Sequence, residues 1–260
     1  MKITVLGCGP SWGVPRIGGD WGDCDPAEPK NRRRRASILV EAQGKTVLVD
    51  TSPDMRDQLI DAQAVRIDAV LFTHAHADHL HGIDDLRGVN RVMQAPIPIY
   101  AAAATLADIE RRFGYVFTPL KPGMAGNYYK PVLVPHAIDG PFTAAGMTVT
   151  PFIQDHGFSQ TLGFRFGRFA YSTDVFELDD RAFEALAGVE DWLVDCIRRA
   201  PHVTHSHLER TLAWIARLKP KRAWLTHMDE TLDYATLRRA LPPGIAPAYD
   251  GLVIDIEDNS

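Results

Sequence analysis

The sequence predicts an α/β chain in which two β-sheets pack face to face with helices on the outside, a four-layer αββα sandwich. Two observations lead there. Apolar strand patterns fall into two sets, one in each half of the chain, and each set is interleaved with helical stretches. Length and composition agree with this reading: 260 residues at 45% hydrophobic and 23% charged supply a single domain, residues 1–260, with ample core.

The first set opens with Lys2 to Leu6, followed by a long Gly/Pro/Trp-rich stretch from Gly7 to Pro29 of the kind that usually covers or builds a site. Ser37 to Glu41 and Lys45 to Val49 read as a hairpin around Gly44. Pro53 opens a short helix with Met55, Leu59 and Ile60 on one side. The run Ala69 to Phe72 is wholly apolar, which fits a buried strand that delivers Thr73 and His74 to a sheet edge. Ile97 to Tyr100 is a further strand, and Ala102 to Phe113 a helix. After a Gly/Pro/Tyr loop, Pro119 to Pro131, come strands at Val132 to Pro135, Met147 to Phe152, Leu162 to Phe166 and Phe169 to Ser172. Helices at Asp180 to Ala187, Leu208 to Leu218 and Tyr234 to Leu241 then alternate with strands at Trp192 to Val194, Ala223 to Leu225 and Leu252 to Ile256. No fixed-period repeat and no dividing linker is visible.

Composition also excludes. A net charge of −5 gives no reason to expect a protein that coats nucleic acid. Three scattered cysteines build no disulfide framework and suit a reducing compartment. Ile3 to Leu6 is too short for a signal-peptide core, and no apolar run approaches membrane-spanning length, so the cytoplasm is the expected location. Ten histidines point to where the chemistry lies.

Thr73-His74-Ala75-His76-Ala77-Asp78-His79 packs three imidazoles and one carboxylate into six positions directly after the buried strand. On a turn leaving a strand, alternate side chains converge on one cavity. Imidazole and carboxylate suit zinc, manganese or iron, and two such ligand groups can hold two ions. A merely solvated His-rich turn would not explain the buried strand that feeds it.

This stretch resembles the H-x-H-x-D-H signature of the metallo-β-lactamase superfamily, and further pieces of that pattern follow in order. Asp50, at the end of the strand Thr46 to Val49, matches the carboxylate that buttresses the metal loop. His156, Asp174 and His227, each just beyond an apolar strand, match the later ligands. The resemblance implies that His74, His76 and His156 hold one metal, that Asp78, His79 and His227 hold the other, and that Asp174 bridges them with a solvent oxygen. The ions, zinc or manganese, would lower the pKa of that oxygen to give a metal-bound hydroxide nucleophile, oriented by Asp78 and Asp174. A di-iron redox branch usually has Glu where His76 stands, so His76 favours hydrolysis.

Within the superfamily, Gly7-Cys8-Gly9-Pro10-Ser11-Trp12-Gly13-Val14-Pro15 resembles the opening loop of the phosphodiesterase branch, which includes transfer-RNA 3′-processing ribonucleases and phosphoribosyl cyclic phosphate phosphodiesterases. Such a loop either receives phosphate on its backbone, with Ser11 beside it, or makes a tight turn. That branch has a histidine at a helix start 22 residues before the last metal ligand, which selects His205 over His207 as the acid that protonates the leaving alkoxide. Ser206 would cap the helix. Arg32 to Arg35 is either a solvated loop or a phosphate contact, with Arg35 the candidate.

The sequence departs from that branch in one place. Relatives often hold a structural zinc on a cysteine cluster after the opening loop, with a histidine three positions after the last ligand. Here Cys24 stands alone and Glu230 occupies the other position, so no structural zinc is expected, and Trp21 packing and polar contacts would hold the loop. The Pro119 to Pro131 loop is short for an RNA-gripping arm but of a size to form a lid, with Tyr128 and Tyr129 on a base or sugar, or in the core. The expected function is a dinuclear metal-dependent hydrolase acting on a small cyclic or nucleotide-like phosphodiester, with RNA a less favoured substrate, no membrane partner, and the homodimer common in this branch. A thioester or lactone hydrolase on the same metals is the alternative enzyme. A non-catalytic metal-containing binding protein is the alternative from another class.

Overall fold

The computed structural model describes residues 1–124 and 126–257. The first sheet is built from β1 (Lys2–Gly7), β2 (Ser37–Ala42), β3 (Lys45–Val49), β4 (Ala69–Leu71), β5 (Ile97–Ala101) and β6 (Leu133–Ala137). The second contains β7 (Phe142–Ala144), β8 (Met147–Asp155), β9 (Gln160–Phe166), β10 (Phe169–Ser172), β11 (Asp191–Asp195), β12 (Arg222–Thr226) and β13 (Ile245–Pro247). A last strand, β14 (Val253–Asp255), returns to the first sheet, so the spatial orders are β14-β1-β2-β3-β4-β5-β6 and β13-β12-β11-β10-β9-β8-β7. This is the αββα sandwich that the two strand sets predict.

Both sheets follow the same plan. Antiparallel pairing runs from β14 to β3 in one and from β7 to β10 in the other, and parallel pairing takes over from β3 to β6 and from β10 to β13. Parallel strands need crossovers, and helices supply them. In the first half these include α1 (Met55–Asp61), α2 (Ala77–Leu80), α3 (Leu86–Met93) and α4 (Ala103–Phe113); in the second, α5 (Asp180–Leu186), α6 (Leu208–Leu218) and α7 (Tyr234–Ala240). The carboxyl ends of the parallel strands of both sheets are where open α/β sheets place ligands.

Alternation along each strand builds two cores. Ile38 and Val40 join Phe152, Phe164 and Phe166 in the core between the sheets, whereas Leu39 joins Met55, Leu59 and Val89 under the helices of the first half. Val47 and Val49 against Leu48, and Ala69 and Leu71 against Val70 and Phe72, repeat the pattern. A strand buried on both faces reads as a continuous apolar run, which is why Ala69 to Phe72 is so conspicuous. Each such Leu, Val or Phe contributes roughly 1.5–3 kcal/mol by leaving water.

Differences from the sequence reading have local causes. The α1 helix starts at Met55, not Pro53, and buries Met55, Gln58 and Leu59 while Ile60 faces solvent. Gln58 takes the inner position because its amide reaches Ser52 Oγ and the Arg35 carbonyl. The β8 strand runs past Phe152 to Asp155, since its pairing with β9 continues to Asp155 opposite Gln160. Helices α2 and α3 and the three-residue strands β7 and β13 are too short or too polar to announce themselves. In the Pro119 to Pro131 loop, Ala125 lies outside the described residues, Tyr129 is exposed and Tyr128 half-buried. No described helix is long and apolar enough to cross a membrane.

Candidate metal centre and active site

Five strand ends converge on one point. Asp50 follows β3, Thr73 and His74 follow β4, Asp174 follows β10, Asp195 ends β11 and His227 follows β12. Asp50, Asp174 and His227 all have positive φ, at 65°, 52° and 58°. Non-glycine residues adopt that region uncommonly, Asp and His among the more tolerant, and three instances at strand ends turn each side chain back across the sheet edges toward a common centre. His156, just beyond β8, comes from the same side through the turn to β9, whose His156 N–H donates to the Ser159 carbonyl at 2.9 Å.

Two quartets form there. Donor atoms of His74, His76, His156 and Asp174 lie within 4.8 Å of one another, as do those of Asp78, His79, Asp174 and His227. Asp174 belongs to both, and its two oxygens divide between them. Oδ1 lies 3.0 Å from His79 Nε2 and 3.3 Å from His227 Nε2, while Oδ2 lies 3.6 Å from His74 Nε2 and 3.7 Å from His156 Nε2. Asp78 Oδ2 sits 3.3 Å from His79 Nε2 and 3.6 Å from His227 Nε2.

Hydrogen bonds around this centre fix the ring tautomers. Asp50, fully buried, accepts from Thr73 N–H, Thr73 O–H and His79 Nδ1–H at 2.8, 2.8 and 2.7 Å. With its proton given to Asp50, Thr73 Oγ1 accepts from His74 Nδ1–H at 3.0 Å. His156 Nδ1–H donates to the Thr204 carbonyl at 2.6 Å. In the neutral form of each ring, the form that binds a metal, the lone pair is on Nε2, the atom that faces the cavity. His74, His79 and His227 Nε2 are buried without a hydrogen-bond partner in the protein. Orphaned imidazole nitrogens facing shared carboxylates are what a divalent ion would satisfy, so the donor set fits two ions.

The electrostatics match. Burial pushes the Asp174 carboxyl up, but the His227 and His79 imidazoles outweigh it and hold the group well below the usual carboxylate range. Asp78 behaves likewise, burial being overcome by the nearby His79 and His227 imidazoles. Both carboxylates are therefore ionised and available to a cation. Burial, helped by the neighbouring His79, drives His74 well below its ordinary value, so its imidazole is neutral.

Beside the quartets, a cleft of about 410 Å³ is lined by His76, Asp78, His156, Asp174, His227 and His205, together with Ser11, Trp12, Phe158 and His202. His205 Nδ1–H donates to Asp195 Oδ2 at 3.0 Å, and its Nε2 lies 3.9 Å from Asp174 Oδ2. His207 is the residue before α6 and does not line the cleft. Ser206 does not cap that helix; its hydroxyl pairs with Thr211 Oγ1, which in turn donates to the Asp195 carbonyl. Asp195 is the residue that sequence reasoning missed, although an Asp ending the apolar run Trp192 to Val194 repeats the signal that singled out Asp50. A second cavity of about 830 Å³ adjoins on the far side of His74 and His76, between α4 and the β8–β9 hairpin.

Other site candidates lie elsewhere. Neither Tyr128 nor Tyr129 lines the cleft. Arg35 is ion-paired with Asp54 at 3.0 Å and is not among the cleft-lining residues. Arg34 pairs with Asp61 and Asp250, and Arg33 is buried, so of the basic run Arg32 alone is an exposed side chain. The glycine-rich loop uses its amides internally: Cys8 N–H donates to Asp250, Gly9 N–H to the Arg34 carbonyl and Val14 N–H to the Arg33 carbonyl. A Cβ on Gly7 would strike the Arg35 carbonyl, so this position is glycine because two backbones meet there.

A model of the β-lactamase superfamily domain matches residues 45–228, which span β3 to the residue after His227. The chain belongs to the metallo-β-lactamase superfamily. A solved structure described as a new diphosphatase from the PhnP family superposes with TM-score 0.89 at 35% identity, covering 97% of this chain and 96% of that one. The short form of human tRNase Z superposes with TM-score 0.71 at 19% identity over 99% and 100%, a likeness of fold. Ribonuclease Z of Bradyrhizobium sp. strain ORS 278 is 27% identical over 53% of this chain and 46% of its own length. An octanoyltransferase of Porphyromonas gingivalis is 32% identical over 99% of this chain and 52% of its own. The chain thus spans about half the length of those two curated relatives. At 35% identity over nearly the full length of both chains, the diphosphatase structure places this metallo-β-lactamase-fold chain with the PhnP family.

Proposed function

We propose that the chain is a dinuclear phosphodiesterase for a small cyclic or nucleotide-like phosphodiester. The observation that carries this reading is the Asp195–His205 pair, placed at the cleft beside the carboxylate shared by both quartets. His74, His76 and His156 would hold one divalent ion, Asp78, His79 and His227 the other, and Asp174 both. Two such ions, zinc or manganese, supply a water of lowered pKa and neutralise charge on the phosphoryl oxygens.

The rest is done by the protein. Asp78 and Asp174 offer carboxylate oxygens that orient the attacking water. A leaving alkoxide is far more basic than neutral water can support, so its departure calls for a proton, and His205 Nε2 is the donor facing the cleft. Asp195 holds and orients the ring by Nδ1, in the manner of a carboxylate behind a catalytic imidazole. A thiolate, with a conjugate acid near 8.5, leaves without such help. His205 is therefore the residue that favours a phosphodiester over a thioester. The relatives support the choice, since a diphosphatase and ribonuclease Z both break phosphorus–oxygen bonds.

The test is an activity panel of phosphodiester, phosphomonoester, thioester and lactone substrates with zinc and with manganese, alongside metal analysis. The expected result is close to two ions per chain, diester turnover, and a loss of about 10²–10⁴-fold in kcat for His205→Ala with metal retained. Cleavage of thioesters or lactones with diesters left intact overturns the reading, and metal without any turnover makes the chain a binding protein. Loss of metal in His205→Ala would make that residue a ligand rather than an acid.

A further inference from the structure

Two large aromatic residues at the cleft leave much of their surface open to solvent. Trp12 is 40% and Phe158 90% exposed, and both line the same cleft as the metal-centre residues and His205. The other exposed aromatic rings, Tyr115 and Tyr129, do not line it. The open part of each ring gains nothing from burial, so its use is sought in what it meets.

Phe158 is placed by its backbone and Trp12 by its ring. Phe158 occupies the turn between β8 and β9, where its N–H donates at 3.0 Å to the carbonyl of His156, itself a member of the first quartet. Trp12 Nε1–H donates to Glu230 Oε2 at 2.9 Å. Glu230 Oε1 pairs with Arg16 at 3.0 Å, and the Glu230 carbonyl accepts from Asp23 N–H at 2.9 Å. The Glu230 stem is wedged against Gly22, where an added Cβ would lie 2.5 Å from Glu230 Cγ. With both oxygens engaged and the stem confined, the carboxylate is a fixed peg. The indole N–H is occupied by it, so what Trp12 offers a ligand is its ring surface.

We propose that Trp12 and Phe158 form an aromatic seat for a ring carried by the substrate, and that Glu230 is the positioning residue that holds Trp12 in it. The ligand class is a phosphate ester bearing an aromatic or heteroaromatic group, with the phosphate at the metal centre and the ring between it and solvent. The cleft volume of about 410 Å³ suits one such ring with its phosphate. The inference deepens the phosphodiesterase reading and rests on it for the position of the phosphate.

Calorimetry on the metal-loaded protein with phenyl phosphate and methyl phosphate tests the seat without turnover. Wild type is expected to bind phenyl phosphate about tenfold tighter, the scale of one ring stacking on an aromatic side chain. Trp12→Ala and Phe158→Ala should each bring that ratio down severalfold while the methyl phosphate Kd, a control for an intact metal centre, stays put. Glu230→Gln, which keeps the acceptor, should retain the ratio, whereas Glu230→Ala and Trp12→Phe, which break the tether from either side, should lose part of it. No preference in wild type, or an unchanged ratio in Trp12→Ala and Phe158→Ala, overturns the seat. A full ratio in Trp12→Phe overturns the role of Glu230, even if Glu230→Ala does not fold. Diester turnover without a phenyl preference sinks the seat alone; a phenyl preference without diester turnover leaves the seat and sinks the phosphodiesterase reading.

Discussion

The candidate metal centre and the arginine cluster under the opening loop do the same topological work and differ in how their polar atoms end. Both knit segments far apart in sequence. In the cluster, the buried Arg33 donates to the Asp229 carbonyl at 2.8 Å, the Leu232 carbonyl at 2.5 Å and Asn31 Oδ1 at 3.2 Å, with Cys24 Sγ at 3.9 Å. Asn31 in turn donates to Asp233 at 2.7 Å. At the metal centre, by contrast, three imidazole Nε2 atoms end on nothing the protein supplies. Charge density alone does not tell a structural polar cluster from a ligand site. The kind of atom left over does: the cluster leaves one N–H donor, Arg33 Nε, which has no use for a cation, whereas the centre leaves imidazole nitrogens facing shared carboxylates.

Removing one member of each region is the sharpest way to break that contrast. Asp174→Ala takes away the oxygen pair common to both quartets, so metal content should fall from two toward zero and diester turnover by at least about a thousandfold. The fold should persist, judged by circular dichroism. Arg33→Met should do the reverse, leaving the Leu232 carbonyl without its Arg33 donor and the Asp229 carbonyl with only the Leu232 N–H at 3.3 Å, and lowering unfolding stability by about 3–5 kcal/mol, with full metal content in the folded fraction. Denaturant melts and metal analysis on the same samples decide. If Arg33→Met loses metal while stability holds, the two regions are one.

The same contrast explains what could be read from the sequence. The αββα architecture was legible because strands buried on both faces, such as Ala69 to Phe72, leave continuous apolar runs. His74, His76, Asp78 and His79 were legible because one turn carries them all, and His156, Asp174 and His227 because each follows a strand. Arg33 was not, since nothing in a run of four arginines says which one turns inward; that depends on carbonyls about 200 residues away. Trp12 and Glu230 were invisible as a pair for the same reason, being 218 positions apart. Ile60 was misplaced because Gln58 satisfies its amide inside the fold.

Acid sharpens the comparison within the arginine cluster. Asp250 accepts from Cys8 N–H and from Arg34 N–H and Nε–H, yet burial outweighs these bonds and raises its pKa to about 6. A folded pKa above the unfolded value means that the native state holds the proton more tightly. Its contribution to stability is present in full below about pH 4 and lost as pH rises through about 6. The stability of wild type minus that of Asp250→Asn should therefore fall by roughly 3 kcal/mol at most between pH 4 and pH 7. The metal-centre carboxylates, held low, act with the opposite sign, and the subtraction removes them. Melts of both proteins across that range measure the slope, and a difference that does not move with pH would show that Asp250 does not titrate there.

Asp195 stands between the two regions, and it gives the smallest effect. Its Oδ2 is satisfied, by Val175 N–H at 3.0 Å and by His205 Nδ1–H, while Oδ1 is buried with no partner. By the first oxygen it belongs with the closed cluster, and by the second with the open one. If its use is to hold His205, Asp195→Asn should lower kcat about tenfold to a hundredfold at unchanged KM and metal content, because the ring loses its orientation and its countercharge while the quartets are untouched. If its use is to tie β11 to Val175, the melting temperature should drop and the turnover of the folded protein should not. Steady-state kinetics and a thermal melt on one preparation separate these outcomes. A change in metal content instead would assign Asp195, with His205 and His227, to a third ligand group, since the donor atoms of these three also lie within 4.8 Å of one another.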